Sequence, residues 1–402
     1  MNVPKLRFKE FSGEWEEKLI GDCFVKINDR NKTKSINNII SNTAKYGLVK
    51  QEQYFDKDIA IQENTENYYV IDKGDFVYNP RKSVEAPYGP IRLYQLEETG
   101  IVSPLYLCFR SKNKLFDYFY NYFFQSSKWY RYIYRNGDSG ARADRVNIKD
   151  EVFFSLNTFL PILDEQEKIV DFLDIVCRKI NNQQAIVESL EKEKKALMKK
   201  IFSQELRFKD DDGKEFPDWE EKKLGEIATF CGGGTPSKDV ESFWQGDIPW
   251  ISSADVSDDI MEITVNKFIT KDAVKKSATK LLPRQTILIV SRVGVGKVAI
   301  SDFPLCTSQD FTNITDIQGN KMFFAYLIKH IMKRKILSTQ GTSIKGITSS
   351  EIKTIVVNLP VIKEQNKIVG FLEVLDEKIR KEKNYLEHWR KIKKGLLQQM
   401  FV

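Results

Sequence analysis

The sequence predicts an α+β chain: two mixed α/β heads separated by two long helices. The helices are expected to pair antiparallel as an intramolecular coiled coil, in a pseudo-two-fold, circular repeat. Three observations predict it. The 402-residue chain repeats itself once, each copy ends in a long heptad-patterned run, and the stretches between carry short β-rich segments. The length suits two or three domains.

Each copy begins with the same lead-in. Leu6-Arg-Phe-Lys9 and Trp15-Glu-Glu-Lys18 recur as Leu206-Arg-Phe-Lys209 and Trp219-Glu-Glu-Lys222, and Gly21-Asp22 recurs as Gly225-Glu226. Each copy ends on a shared block. Leu160-Pro-Ile-Leu-Asp-Glu-Gln-Glu-Lys-Ile-Val-Asp-Phe-Leu173 aligns with Leu359-Pro-Val-Ile-Lys-Glu-Gln-Asn-Lys-Ile-Val-Gly-Phe-Leu372, without a gap to Phe202 and Phe401. The expected division is a head over 1–158, a helical spacer over 159–204, a head over 205–357 and a spacer over 358–402. A circular plan requires the two chain termini to lie close together.

Between lead-in and block, the heads share a plan and little identity. β-rich runs (Asp75–Tyr78, Ile101–Val102 and Tyr106–Phe109; Thr286–Val290 and Val298–Ile300) precede helices that begin at Asn113-Lys-Leu-Phe116 and Asn320-Lys-Met-Phe323. Small-residue loops follow at Asn136–Ala141 and Gln340–Gly346. The first helix, expected over 116–134, is crowded with aromatics beside Lys128, Arg131 and Arg135. It reads as a core helix with a wet tyrosine edge; the alternative is a platform for stacking bases.

Pro161 and Pro360 stand just ahead of the helices expected over 164–202 and 363–401, where proline does no harm. The acids Asp164, Glu165 and Glu364 suit a helix N-terminus. Apolar residues recur at alternating steps of four and three: Ile169, Leu173, Val176, Ile180, Val187, Leu190 and Leu197 in one helix, and Ile368, Leu372, Leu375, Ile379, Leu386, Trp389 and Leu396 in the other. The seam is interrupted at matched levels, by Gln183 and Glu382 and by Lys194 and Lys393. Such a seam needs a partner, and the other copy is the obvious one. About 38 residues at 1.5 Å rise make a rod of about 57 Å, which would fix a distance between the heads.

Lys+Arg total 63 against 56 acids, a formal net charge of +7, which permits nucleic-acid binding without requiring it. Only two histidines, His330 and His388, argue against a histidine metal centre or triad. Five cysteines without a C-x-x-C pair read as reduced thiols of a cytoplasmic protein. The N-terminus has no secretory h-region and no apolar run is long enough to span a membrane.

Tests for catalytic motifs fail. Ser291-Arg-Val-Gly-Val-Gly-Lys-Val298 lacks the first glycine and the terminal Ser/Thr of a phosphate loop. Gly232-Gly-Gly-Thr-Pro-Ser237 lacks the dinucleotide spacing and reads as a flexible loop opening the second head. Asn79-Pro-Arg81 lacks the second proline and aromatic of an amino-methyltransferase motif, Glu221-Lys-Lys223 has no suitable second acid, and no G-x-S-x-G elbow occurs. No metal site is expected. What remains is positive and polar side chains in head loops: Arg81, Lys82 and Ser83, with Arg142 and Arg145, in the first head; Arg292, Lys297, Thr342, Ser343 and Lys345 in the second. Arg and Lys suit guanine edges and phosphates, and Ser and Thr serve either.

The duplicated L-P-x-x-x-E-Q-x-K-I-V-x-F-L blocks, the repeated W-E-E-K…G-[DE] lead-ins, Gly233-Gly-Thr-Pro-Ser237, Thr307-Ser-Gln-Asp310 and Gly341-Thr-Ser343 resemble the DNA specificity subunit of Type I restriction–modification systems over essentially the whole chain. The first head departs from the pattern, having Val102-Ser-Pro104 where the second has Thr307-Ser-Gln309 and no G-G-T-P-S loop. The resemblance implies that each head is a target recognition domain reading one half of a split site on double-stranded DNA. It implies that the helices set the half-site spacing and dock two methyltransferase (modification) subunits. The chain itself would be non-catalytic and bind no cofactor. S-adenosylmethionine, ATP and Mg would serve the partners, which include restriction subunits acting as translocase and nuclease. Two other classes stay open: a self-contained DNA methyltransferase or nuclease, and a paired-helix scaffold whose heads bind protein.

Overall fold

The computed structural model of the chain describes residues 2–54, 65–138, 143–338 and 346–402, with only the backbone at 53–54 and 336–338. Contacts divide it into two compact units, Met1–Ala185 with Glu382–Val402, and Ile186–Lys381. This differs from the four-segment division expected from sequence. Each head shares a continuous core with parts of both long helices, so head and helix are not separate bodies.

In the first unit, Glu16–Leu19 of the lead-in pairs antiparallel with Asn157–Leu160, the strand running into Pro161. A four-stranded antiparallel sheet follows, in the order Phe24–Lys26, Leu107–Ser111, Asp75–Tyr78, Ile91–Leu93. All four residues of Asp75–Tyr78 are buried because both faces of this strand are covered. Phe76 and Tyr78 face a core that includes Ile169, Leu173, Leu397 and Met400 of the long helices. Val77 faces a second cluster with Ile40, Ile71 and Val102.

The second unit repeats the design. Glu220–Lys223 pairs with Val356–Leu359, and the sheet order is Ala228–Gly232, Phe311–Ile317, Ile287–Val290, Val298–Ile300. Ile287 and Ile289 join Met198, Ile201, Ile368 and Leu372, while Leu288 and Val290 face Ile251 and Leu305. Alternation along one strand thus builds two cores from four successive apolar residues. The same topology on unlike sequences accounts for the shared plan.

Asn113 accepts from Leu115 N–H, and Asn320 from Met322 N–H, capping the helical runs where the sequence placed their starts. The aromatic run is not one helix. It forms Asp117–Phe123 and Tyr130–Asn136, interrupted where Ser126 Oγ donates to Phe123 O at 2.6 Å and accepts from Lys128 N–H. Phe119, Tyr120, Tyr122, Phe123, Phe124 and Trp129 are buried, whereas Tyr118 and Tyr134 are exposed, so the core reading holds.

The long helices span Leu163–Phe202 and Ile362–Gln399. Within the first unit, residues from 163 to 185 of one run antiparallel to residues from 382 to 399 of the other. Ile169, Leu173, Val176 and Leu386 are buried there, with Ile180, Trp389 and Leu396 half-buried. Gln183 Nε2 donates to Glu382 O at 3.2 Å and to its carboxylate, so two repeat counterparts touch each other. Within the second unit, Val187, Ile368, Leu372 and Ile379 are buried and Leu190, Leu197 and Leu375 half-buried. The termini meet as the circular plan requires: Leu6 N–H donates to Gln399 O at 2.9 Å, and the Phe401 ring lies 5.2 Å from Phe119. Among the described residues no helix is long and apolar enough to cross a membrane, and all five cysteines are free thiols.

Candidate nucleic-acid interface

In the first head the buried strand Asp75–Tyr78 ends at Asn79-Pro80-Arg81. Asn79 Oδ1 accepts from Arg81 N–H at 3.1 Å, which turns the chain at the proline. The loop closes against its own stem at Gly89, where φ is +83° and a Cβ would lie 2.1 Å from Asn79 O, so only glycine fits. The segment after the second aromatic helix docks on this loop. Val146 N–H donates to Pro80 O and Lys82 N–H to Asp144 O, both at 2.9 Å.

Two loops far apart in sequence therefore present Arg81, Lys82 and Arg145 together. The guanidinium groups of Arg81 and Arg145 lie 3.4 and 3.9 Å from one Asp144 carboxylate. Two cations share one anion, so the cluster keeps positive charge at the surface. Ser83 accepts from Ala86 N–H through Oγ and donates its own N–H to Ala86 O, shaping the loop tip where Val84 is 99% exposed. Arg142 lies outside the described residues.

The second head makes the same junction with other residues. Ile287–Val290 runs into a tight turn over 291–297. Ile347 N–H donates to Ser291 O at 2.7 Å, the counterpart of Val146 on Pro80. Ser291 is buried, donating to Asp310 O through both N–H and Oγ. Arg292, next in line, is exposed at the mouth of an open cleft of about 950 Å³ that Gly233, Gln309, Thr312 and Thr348 also line. Lys297 departs from expectation: its ammonium turns inward and donates to Val256 O at 2.8 Å and Ser253 O at 3.3 Å, satisfying buried carbonyls instead of facing out. Thr342, Ser343 and Lys345 lie outside the described residues.

The Gly232–Ser237 segment is not the flexible loop expected. Gly234 N–H donates to Thr307 O at 2.8 Å, Trp250 Nε1 donates to Gly234 O, and Thr235 Oγ1 bonds Gln309. A Cβ on Gly233 would lie 2.0 Å from Ser308 O, so the glycine permits a backbone-to-backbone approach. The G-G-T-P-S and T-S-Q-D motifs are thus two sides of one packed junction.

The repeated lead-in and helix blocks also meet in the same way in both units. Arg7 pairs through Nε and Nη2 with Glu165, at 2.8 and 2.7 Å, and Arg207 with Glu364, at 2.8 and 2.9 Å. Both glutamates are buried, at 1% and 0% exposure. Gln166 and Gln365 each donate to the carbonyl of their block's proline at 2.8 Å. Residues 12–192 and 217–388 match the Type I restriction modification DNA specificity domain, twice in the one chain. The chain belongs to that family.

Its relatives agree. It is 33% identical over 210 residues to the Type I restriction enzyme MjaIX specificity subunit of Methanocaldococcus jannaschii, covering 50% of this chain and 48% of that protein. The chain thus spans about half the length of that relative. It is 26% identical to the putative MjaX specificity subunit of the same organism over 97% of this chain and 94% of that one. A chain solved in work on complex assembly and conformational transition of the type I R-M system shares the fold, with TM-score 0.58 at 16% identity, 96% of this chain and 97% of that one being covered.

In this DNA-specificity-domain chain the polar interruptions of the helix seam are occupied. Lys194 pairs with Asp376, whose carboxylate also accepts from Tyr326 Oη at 2.5 Å. In the first unit Lys393 donates to Gln125 Oε1 at 2.9 Å and lies 5.8 Å from the Tyr122 ring centre, while Tyr122 Oη bonds Asp174. Burial raises both phenols above the ordinary tyrosine range. These head-to-helix ties went unread in the sequence, as did the Arg–Glu clamps, although the recurrence of Arg7/Arg207 and Glu165/Glu364 is the signal that could have found them.

Proposed function

We propose that the chain is the DNA sequence-recognition subunit of a Type I restriction–modification complex, each head reading one half of an asymmetric bipartite site. One observation carries it: both heads present the same loop junction at the end of the same buried strand, built from different side chains. Arg81, Lys82 and Arg145 serve one half-site, and Arg292 serves the other. Each junction would enter the major groove, where all four base pairs differ.

The paired helices, read as an antiparallel coiled coil about a pseudo-two-fold, hold the heads at a set spacing and dock methyltransferase subunits. Their buried seam is used within the chain, so docking falls to the outer faces. Exposed apolar residues sit there at matching places in the repeat, Leu163 and Ile362, Ile175 and Val374, Ile186 and Tyr385, with Ile162 and Val361 just ahead of the helices. Duplicated apolar positions suit two copies of one partner. The chain supplies no chemistry. S-adenosylmethionine for adenine methylation, and ATP and Mg for translocation and cleavage, belong to the methyltransferase and restriction subunits, in the cytoplasm.

The test is methylation mapping in cells that carry the chain with its partners. A split, asymmetric motif is expected. Removing one heptad from both helices shortens the rod by about 10 Å, about three base pairs, and should shrink the unread gap while sparing both half-sites. Methylation without a bipartite motif, or an unchanged gap in the shortened chain, overturns the reading.

A further inference from the structure

We propose that the first head reads DNA with a second element, the hairpin Ile40–Thr43/Gly47–Lys50, whose tip residues Lys45 and Tyr46 contact the duplex beside the Arg81 loop. The proposal rests on the DNA-recognition reading.

The hairpin is held in place. Asn42, 2% exposed, donates through Nδ2 to Val77 O at 2.7 Å and Pro90 O at 3.1 Å, the two stems of the Arg81 loop. Asn79, the first residue of that loop, donates back to Asn42 O at 2.8 Å. One buried asparagine thus couples the hairpin to the candidate interface. The tip is shaped by Thr43, whose Oγ1 accepts from Tyr46 N–H at 3.0 Å. Arg92 braces it from below, donating to Ala44 O at 3.2 Å and Ile91 O at 3.1 Å. Both acceptors are neutral carbonyls and burial lowers the guanidinium pKa, so Arg92 serves as a brace for the tip.

The tip itself is exposed, with Tyr46 at 56% and the Lys45 ammonium 4.9 Å from its ring centre. On the Arg81 loop, Tyr88 packs 5.0 Å from Tyr130. Each of the two coupled loops therefore carries cations and aromatics together, Lys45 with Tyr46 on the hairpin and Arg81 with Tyr88 on the loop it is bonded to. An anionic backbone carrying bases with polar edges and apolar faces and methyl groups is the ligand that matches this pairing, and the hairpin is hydrogen-bonded to the junction already assigned. Holding the tip through buried bonds before binding avoids the cost of ordering it on DNA. Among the described residues of the second unit, the strands outside the main sheet and the lead-in pair are Ile248–Ile251, Lys267–Ile269 and Cys306–Thr307, a three-stranded arrangement instead of a hairpin. The device therefore belongs to one half-site.

The experiment uses the full chain assembled with its methyltransferase partners and duplexes carrying the mapped site, with either half scrambled. Lys45→Ala should reduce the slope of log affinity against log salt by about one. Tyr46→Ala should lower affinity about tenfold for the intact site and lose that effect when the first half is scrambled. Asn42→Ala, which leaves the tip residues but frees the hairpin, should reproduce the loss. If the parent chain discriminates scrambled from intact halves while Lys45→Ala and Tyr46→Ala bind as the parent does, the hairpin proposal fails alone. If the parent shows no discrimination, the DNA-recognition reading fails first.

Discussion

Arg7 and Glu165 offer a calculable test of how head and helix are joined. The Glu165 carboxylate is 1% exposed and receives both Nε and Nη2 of Arg7, itself 14% exposed. In the second unit Trp219 Nε1 adds a third bond to Glu364 at 3.1 Å, whereas the Nε1 of Trp15 is buried without a partner. Glu165 therefore depends on Arg7 more heavily than Glu364 depends on Arg207. Arg7→Ala strands a buried carboxylate and should cost about 3 kcal/mol, while Arg207→Ala, with Trp219 still donating, should cost about 1 kcal/mol less. The double variant Arg7→Met/Glu165→Leu removes both charges and should stay within about 1 kcal/mol of the parent. Denaturant titration, with hydrogen exchange at the Glu16–Leu19/Asn157–Leu160 ladder as the local readout, measures all three. A loss below about 1 kcal/mol for Arg7→Ala, or a double variant as weak as the single, would refute the clamp.

Arg292→Ala should lose selection at the second half-site only, and Arg81→Ala/Arg145→Ala at the first only; competition with half-scrambled duplexes checks this, and a loss at both halves counts against separate readers. Ile175→Glu/Val374→Glu should leave the chain folded but block assembly with methyltransferase subunits, read by size-exclusion chromatography; normal assembly would remove the outer helix faces from consideration. Burial pushes the Asp117 carboxyl up to about 6, and its Oδ1 has no partner. Because the folded state holds the proton more tightly, this group's contribution weakens as pH rises from about 4 through 6. Asp117→Asn should thus gain stability over the parent between pH 4.5 and 7.5; a constant difference across that window contradicts the assignment.

The sequence by itself determined the repeat, both long helices, the seam and the meeting of the termini. These rest on periodic or duplicated residues, Leu173 and Leu372 among them, and periodicity survives in one dimension because a helix face recurs at a constant step. The cationic loops could be named but not assembled. Val146 on Pro80, and Ile347 on Ser291, are bonds between segments separated by a whole helix, and backbone hydrogen bonds leave no mark on residue type. Tertiary structure alone decided that Lys297 turns inward while Arg292 faces out, and that the Gly233 segment packs instead of flexing. It also made Asn42, an unremarkable hairpin residue in the chain, the bond between two loops. A polar side chain reads alike in sequence whether its partner is water or a buried carbonyl, and only the folded neighbours settle which.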